Sequence, residues 1–489
     1  MSRRTLRAAV LPLVATLAGL GCAPEGDAVP VGPPNVLLIY ADDQRADTLS
    51  SLGNEWVRTP NLDALVERGT TFERTYCQGG PHGAVCVPSR AMLMTGRTWF
   101  ELDLNDFDGR PTLPELLSDS GYRTFMTGKW HNGHDALRRA FPDARSVMRA
   151  GMSNHNDVPL VDIVDGAFED ERRGDGHSSE IFADAAVEFL GSTADEDQPF
   201  FCYVAFTAPH DPRDAPEEWR ARWAERRPPL PENFMPQHPF DNSQLTTRDE
   251  KLGAWPRTEE LVRDQLAEYY ALIEHLDDQV GRVLAALEAT GRLDNTLVIY
   301  AADHGLAVGS HGLLGKQNVY EHSMRAPMVM AGPGVERGRT TALVHLHDMF
   351  ATVLEAAGVA APEDSHSIAL QPFLATSEAS AVRPTVLTSQ HHMRAVTDGR
   401  WKLIRYADVD RTQLFDLATD PHELHDLSGD AEQAERVEQL TAELRRLQQE
   451  LGDALPWTSD ELRPAEIDLT GRERQPDPWQ PDWIVEKYF

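Results

Sequence analysis

Val36-Leu37-Leu38-Ile39-Tyr40, followed by Ala41-Asp42-Asp43, and Thr296-Leu297-Val298-Ile299-Tyr300-Ala301, followed by Ala302-Asp303-His304-Gly305, decide the fold. Each is an unbroken apolar run that stops at acidic residues. Runs of this length read as strands buried on both faces, the habit of a parallel sheet. Two more short, largely apolar runs end in polar, chemically capable residues. Tyr122 to Thr127 precedes Gly128-Lys129-Trp130-His131, and Phe200 to Phe206 precedes Pro209-His210. Helical stripes lie between them: across Leu261–Ala289, Leu266, Tyr269, Tyr270, Ile273, Leu276, Val280, Val283 and Leu287 share one face. Strands alternating with helices imply an α/β sheet. In such sheets ligands sit beyond the carboxyl ends of the strands, where all four polar clusters fall.

The pattern changes after Leu374. Met393–Thr397, Asp398-Gly399 and Arg400–Tyr406 predict a β-hairpin with an Asp-Gly turn. Val437, Leu440, Leu444, Leu447 and Leu451 then recur at helical spacing, so a smaller C-terminal α+β domain is expected. Phe141–Gly176 and Asp211–Trp255 lack clear periodicity and are expected to form loops walling a substrate pocket. The tail from Trp457 is expected to wrap over the surface. No internal repeat or low-complexity run occurs.

The 489 residues carry 46 Lys+Arg against 78 Asp+Glu, a formal charge of −32. Such a surface repels nucleic acid and anionic lipid, which excludes a general polyanion binder. A local basic pocket still holds an anion, because screening confines the repulsion to about 8 Å. Four cysteines (Cys22, Cys77, Cys86 and Cys202) are too few to staple the fold. Arg3, Arg4 and Arg7 precede the apolar run Ala8–Leu20, which is too short to span a bilayer and predicts an export leader over 1–22. Ser2-Arg3-Arg4 resembles a twin-arginine signal. Cys22 after Gly19-Leu20-Gly21 resembles a lipobox, with Gly19 where Leu is preferred. The expectation is a periplasmic protein, or a cell-surface or outer-membrane lipoprotein whose only membrane contact is a lipid anchor at Cys22. Residues 23–34 read as a linker, 35–375 as the catalytic domain and 376–489 as the C-terminal domain with its tail.

Pro88 places Cys86 at or just before a helix N-terminus, where free amides favour an anion and lower a thiol pKa. A lone cysteine there reads more often as a buried structural one. Asp42-Asp43 and Asp303-His304 would repel across two strand ends unless a hard divalent cation neutralised them; adjacent acids there also serve as helix caps. Lysine is scarce, five residues beside 41 arginines, yet Lys129 and Lys316 both fall inside motifs. That distribution points to a need for a compact point charge.

These motifs resemble the sulfatase family. Cys86-Val87-Pro88-Ser89-Arg90 with Leu93-Met94-Thr95-Gly96-Arg97 is similar to its first signature, and Gly121-Tyr122 through Gly128-Lys129-Trp130-His131 to its second. Pro209-His210, Gly315-Lys316 with Tyr320-Glu321-His322-Ser323-Met324-Arg325-Ala326-Pro327, and the C-terminal Thr397–Ile404, Leu414–Leu417 and Asp420–Glu423 extend the likeness from about Asn35 to about Leu427. The resemblance implies an alkaline-phosphatase-like α/β fold: a large mixed, mainly parallel sheet sandwiched by helices, with a smaller C-terminal α+β domain. It implies that a formylglycine-generating enzyme converts Cys86 to Cα-formylglycine, whose hydrate is the nucleophile. It implies metal ligands Asp42, Asp43, Asp303 and His304 together with residue 86, with Ca²⁺ the expected ion and Mg²⁺ the second option. Many relatives carry Asn where His304 stands, and others carry His.

The same resemblance implies catalytic roles for Cys86, Arg90, Lys129, His131, His210 and Lys316 in hydrolysing a sulfate monoester of a small molecule or oligosaccharide. Arg90 would hold the nucleophile, Lys129 and Lys316 the sulfate, and either His210 or Lys316 would protonate the alcohol. His131 would take the last proton. Glu321 and Arg325 are expected to form an internal ion pair; Trp130, His134, His391 and His392 are candidates for the pocket. Strong acidity favours a chain end or small ester over a polymer interior. The competing readings are a phosphonate monoester or phosphodiester hydrolase of the same architecture, a non-catalytic metal-binding surface lipoprotein, and a Cys/His hydrolase.

Overall fold

The computed structural model describes residues 32–224, 226–371 and 382–489. The expected leader, Cys22, most of the linker and the 375/376 boundary lie outside the described residues. Ten strands form the main sheet: β1 (Asn35–Ala41), β2 (Thr70–Tyr76), β4 (Arg123–Lys129), β5 (Ala144–Met148), β6 (Pro159–Val164), β7 (Ala167–Arg173), β8 (Phe200–Ala205), β9 (Thr296–Ala302), β10 (Met328–Ala331) and β11 (Gly338–His345). Their order is β11-β2-β10-β9-β1-β8-β4-β5-β6-β7. The four apolar runs β9, β1, β8 and β4 are adjacent and parallel, every β1 residue is buried, and their carboxyl ends share one edge. Antiparallel β10 and the β5–β6–β7 meander make the sheet mixed.

Helices cover the sheet. Glu259–Ala289 packs with Ser178–Ser192 and Pro60–Arg68, while Cys86–Thr95 packs with Leu113–Asp119 and Asp348–Ala356. The long helix buries the expected stripe, from Leu266 and Tyr269 to Val283 and Leu287. One continuous apolar core joins strands and helices.

The expected loop over Phe141–Gly176 is corrected: it is largely β5, β6 and β7. The reason is physical. β7, Ala-Phe-Glu-Asp-Glu-Arg-Arg, lies at the sheet edge and is exposed or half-exposed throughout, so no apolar alternation marks it. Charged edges of this kind also block further strand pairing. Asp211–Trp255 is irregular, with short helical turns at Glu217–Ala221 and Asp249–Leu252.

A second sheet holds β12 (Val386–Gln390), β13 (Met393–Thr397), β14 (Trp401–Tyr406) and β15 (Arg411–Asp416), with the expected hairpin at β13–β14. Helix Ala434–Glu450 packs Leu440 and Leu444 on Leu387, Val396, Leu403 and Leu414. The fifth strand, β3 (Gly79–Gly80), comes from the N-terminal part of the chain just upstream of Cys86 and pairs with Ser389-Gln390. Gly79 has φ +87°, and a Cβ there would overlap the Ser389 carbonyl, so glycine permits this junction.

Candidate active site

The carboxyl ends of β1, β4, β8 and β9 bring the expected residues together. Asp42 and Asp43 follow β1, Lys129 ends β4, His210 follows β8 and Asp303-His304 follow β9. Cys86 opens its helix at the first position. Crossing bonds fix the acids: the Asp43 amide donates to Asp303 Oδ1 at 3.0 Å, and Asp303 N donates to the Ala41 carbonyl at 3.2 Å. One ligand atom each from Asp42, Cys86, Asp303 and His304 lie within 4.8 Å of one another, as do those of Asp42, Asp43 and His210.

This cradle fits a cation. His304 Nδ1 donates to the Gly305 carbonyl at 3.0 Å, which leaves Nε2 as a lone pair. Nε2 stands 3.4 Å from Asp43 Oδ1 and 3.7 Å from Asp303 Oδ1, three acceptors facing one another. Both His304 Nε2 and Asp42 Oδ1 are buried with no hydrogen-bond partner among the described residues. A buried orphan acceptor costs about 1–3 kcal/mol, and a cation between these atoms removes that cost.

Buried cations engage the same acids. Lys129 Nζ pairs with Asp42 and lies 3.6 Å from Cys86 Sγ. Lys316 Nζ sits 2.8 and 3.0 Å from the two Asp43 oxygens. Arg90, one turn along the helix from Cys86, donates to Asp303 Oδ2 at 3.1 Å and to the Lys129 carbonyl at 3.0 Å. Burial works against the Asp303 carboxylate, but the Arg90 guanidinium and the Lys129 ammonium outweigh it and hold its pKa far below the usual range. Burial likewise opposes the Lys316 ammonium, while Asp43 and Asp249 hold it protonated.

The histidines complete the ring. His131 Nδ1 is 3.0 Å from Cys86 Sγ. Burial and then Lys129 push its pKa far down, so it is neutral and able to accept a proton. His210 Nδ1 donates to the Asp211 carbonyl at 2.6 Å, and its Nε2 accepts from Lys316 Nζ at 2.9 Å. Burial and Lys316 keep His210 neutral as well.

Residues 34–359, two thirds of the chain, match the sulfatase family profile. The chain belongs to the sulfatase family. Residues 309–450 also match the profile described as N-sulphoglucosamine sulphohydrolase, C-terminal. Relatives include the N-acetylglucosamine-6-O-sulfatase of Bacteroides thetaiotaomicron, 26% identical over 86% of this chain and 88% of that one. The choline-sulfatase of Rhizobium meliloti is 28% identical over 81% and 83%. Among solved structures, a complex with its substrate D-glucosamine-2-N,6-O-disulfate superposes with TM-score 0.75 at 23% identity, covering 88% of this chain and all of that one. A phosphonate monoester hydrolase from Silicibacter pomeroyi reaches 0.69 at 23%, covering 86% and 96%. These two share the fold. Family and curated relatives make the protein a sulfuric ester hydrolase.

Not every candidate from the sequence belongs to this sulfatase site. Trp130 is 1% exposed and packs on Phe107 and Phe141, a core residue. His134 is exposed at a helix start, edge-on to Phe168. His392 is bound to Asp408 at 2.6 Å; the His391 amide donates to the Gly80 carbonyl, beside the Cys86 loop. Glu321 and Arg325 are paired at 3.7 Å as expected, but the shorter partner of Glu321 is Lys402 at 2.9 Å, which also binds Glu423.

Sequence reasoning missed the supports. Glu250 accepts from the amides of Leu314 and Gly315 and pairs with buried Arg257 at 2.5 Å, fixing the backbone that carries Lys316. Asp249 stands 4.0 Å from Lys316, and Arg248 bridges Asp249, Asp211 and Asp477 of the tail. All sit in or against the aperiodic segment, where adjacent acids carried no pattern.

Proposed function

We propose that the protein is an exported sulfatase that removes a sulfate monoester from the end of a saccharide, using Cα-formylglycine at position 86 and a divalent cation, Ca²⁺ being the expected ion. Asp42, Asp43, Asp303 and His304 would hold the cation beside residue 86. The carrying observation is the pair of orphaned ligand atoms, Asp42 Oδ1 and His304 Nε2, in a cradle shared with Cys86 and rimmed by two buried lysines. In the mature site the hydrated aldehyde supplies the nucleophile and the cation a Lewis acid.

The chain's own residues do the rest. Lys129 and Lys316, freed from Asp42 and Asp43, bind the sulfate oxygens and offset its spread charge. Arg90 orients the side chain one turn before it. Lys316 Nζ carries a proton while neutral His210 presents an acceptor to it, so Lys316 is the donor to the departing alcohol and His210 its orienting partner. His131 Nδ1 accepts the proton from residue 86 that frees inorganic sulfate.

A saccharide substrate is supported by the names of the N-acetylglucosamine-6-O-sulfatase relative and of the glucosamine disulfate complex. The charge of −32 supports a chain end over a polymer interior. The leader supports a periplasmic or surface location, and maturation by a formylglycine-generating enzyme. A panel of sulfated mono- and oligosaccharides, aryl sulfates, choline sulfate and aryl phosphonates, read by free sulfate or phosphonate product, tests the reading. Highest kcat/KM on a sulfated saccharide is expected. A tenfold preference for phosphonate, or efficient desulfation of polymer interiors, contradicts it.

A further inference from the structure

The geometry points to Gly151 as the positioning residue that aims His131 at residue 86, an inference that rests on the role proposed for His131. Gly151 lies three residues beyond β5, in a stretch with no motif. His131 itself has φ +68°, the left-handed region, which costs a non-glycine residue on the order of 1 kcal/mol and persists only where the surroundings impose it. They do so on both sides. The Trp130 amide donates to the Met148 carbonyl at 3.0 Å. Asn132 Nδ2 donates to the Val87 carbonyl at 3.1 Å and the Leu104 carbonyl at 2.7 Å, tying position 132 to the first turn of the Cys86 helix.

With the backbone pinned, only side-chain rotation remains to His131, and Gly151 removes it. Nδ1 faces Cys86 Sγ; the far side of the ring occupies the space that a side chain on Gly151 would take. A Cβ on residue 151 would overlap Nε2 and Cε1 and stand 2.8 Å from Cδ2, where ordinary contact begins at 3.4 Å. The glycine is therefore a flat backstop: any side chain pushes the imidazole off its line to residue 86. Restoring contact for Nε2, the ring atom nearest that Cβ, moves the ring by more than ~1 Å, and a displacement of that size already costs a catalytic group about 10²-fold.

The test is a cycle of Gly151→Ala, His131→Ala and the double variant, with Ala150→Ser in the same exposed loop as control. Expected for Gly151→Ala are a kcat about 10²-fold lower with KM nearly unchanged, and a crystal structure of the unmatured Cys86 form with the ring displaced. In the His131→Ala background the added methyl has free space, so Gly151→Ala there should change neither melting temperature nor kcat. The inference is overturned if Gly151→Ala keeps wild-type kcat, if the same loss recurs without His131, or if the ring stays in place. Should the wild type release no sulfate from any substrate, the functional reading fails; the crystal structures still decide whether Gly151 positions the ring.

Discussion

Replacing Lys129 by methionine tests whether the buried lysines stand where a cation's charge is needed. Lys129 and Asp42 pair with neither side chain reached by solvent, Lys316 pairs with Asp43, and Arg90 with Asp303. Three carboxylates thus face three cations. Methionine keeps the length and apolar stem of lysine but leaves Asp42, beside Asp43 and Asp303, with only the Arg90 guanidinium 3.9 Å away. At a separation of about 3 Å and an effective dielectric of about 20, one such pair is worth about 5 kcal/mol. Removing one partner of a buried pair costs about 3–5 kcal/mol. The chelated Lys129→Met protein should lose that much stability. A bound divalent cation compensates the carboxylates, so the loaded form should lose far less. By linkage, cation affinity should then rise on the order of 10²–10³-fold while sulfate hydrolysis falls. Thermal melts of chelated protein titrated with Ca²⁺ read both quantities. The reasoning is refuted if Lys129→Met melts with the wild type in chelator and binds Ca²⁺ at the wild-type midpoint.

Three further outcomes are expected. Glu250→Gln strands buried Arg257 and should lower the urea midpoint by an equivalent of about 3–5 kcal/mol, with KM raised as the Lys316 backbone loosens. Lys316→Ala should slow a sugar sulfate by about 10²–10⁴-fold but a nitrophenyl sulfate much less, since a good leaving group needs no proton; equal losses would contradict the donor role. Acid should destabilise the fold. Burial holds His275 and His238 down to about 3, and His311 and His347 down to about 4, below the unfolded value of about 6.5. Groups with depressed folded pKa contribute stability that is whole above the unfolded pKa and lost as pH falls, by about 1.4 kcal/mol per unit for each histidine. Asp348, held low by Arg383 against the effect of its burial, loses its contribution in the same direction at lower pH. Glu268 and Glu423, pushed up by burial to about 7, and Asp277, to about 6, gain stability on acidification, but the depressed histidines outnumber them, so urea midpoints should still fall below about pH 6.5; a midpoint that rises on acidification would contradict this.

The sheet centre was legible because β1, β8 and β9 are buried throughout and read as near-continuous apolar runs, as strands covered on both faces do; β4 is shorter in apolar residues and was marked by the Gly-Lys motif at its end. The convergence of the candidate site residues was legible because each stands at the end of such a run or inside a spaced motif. What escaped lacked a local signature. β7 is an edge strand whose charges erase alternation, and β3 is two glycines whose pairing with Ser389-Gln390 spans about three hundred residues of sequence. Glu250 acts on backbone amides 64 and 65 positions away, and Gly151 acts by lacking atoms. Composition reports neither. Trp130, weighed as either a pocket or a structural residue, is a core residue packed on Phe107 and Phe141.

Peptide mass measurement at residue 86, on protein made beside a formylglycine-generating enzyme and assayed for sulfate release from the same sample, tests the central claim most directly. The account predicts an aldehyde at position 86, with turnover in proportion to its occupancy. Full turnover from protein that keeps the Cys86 thiol would contradict it.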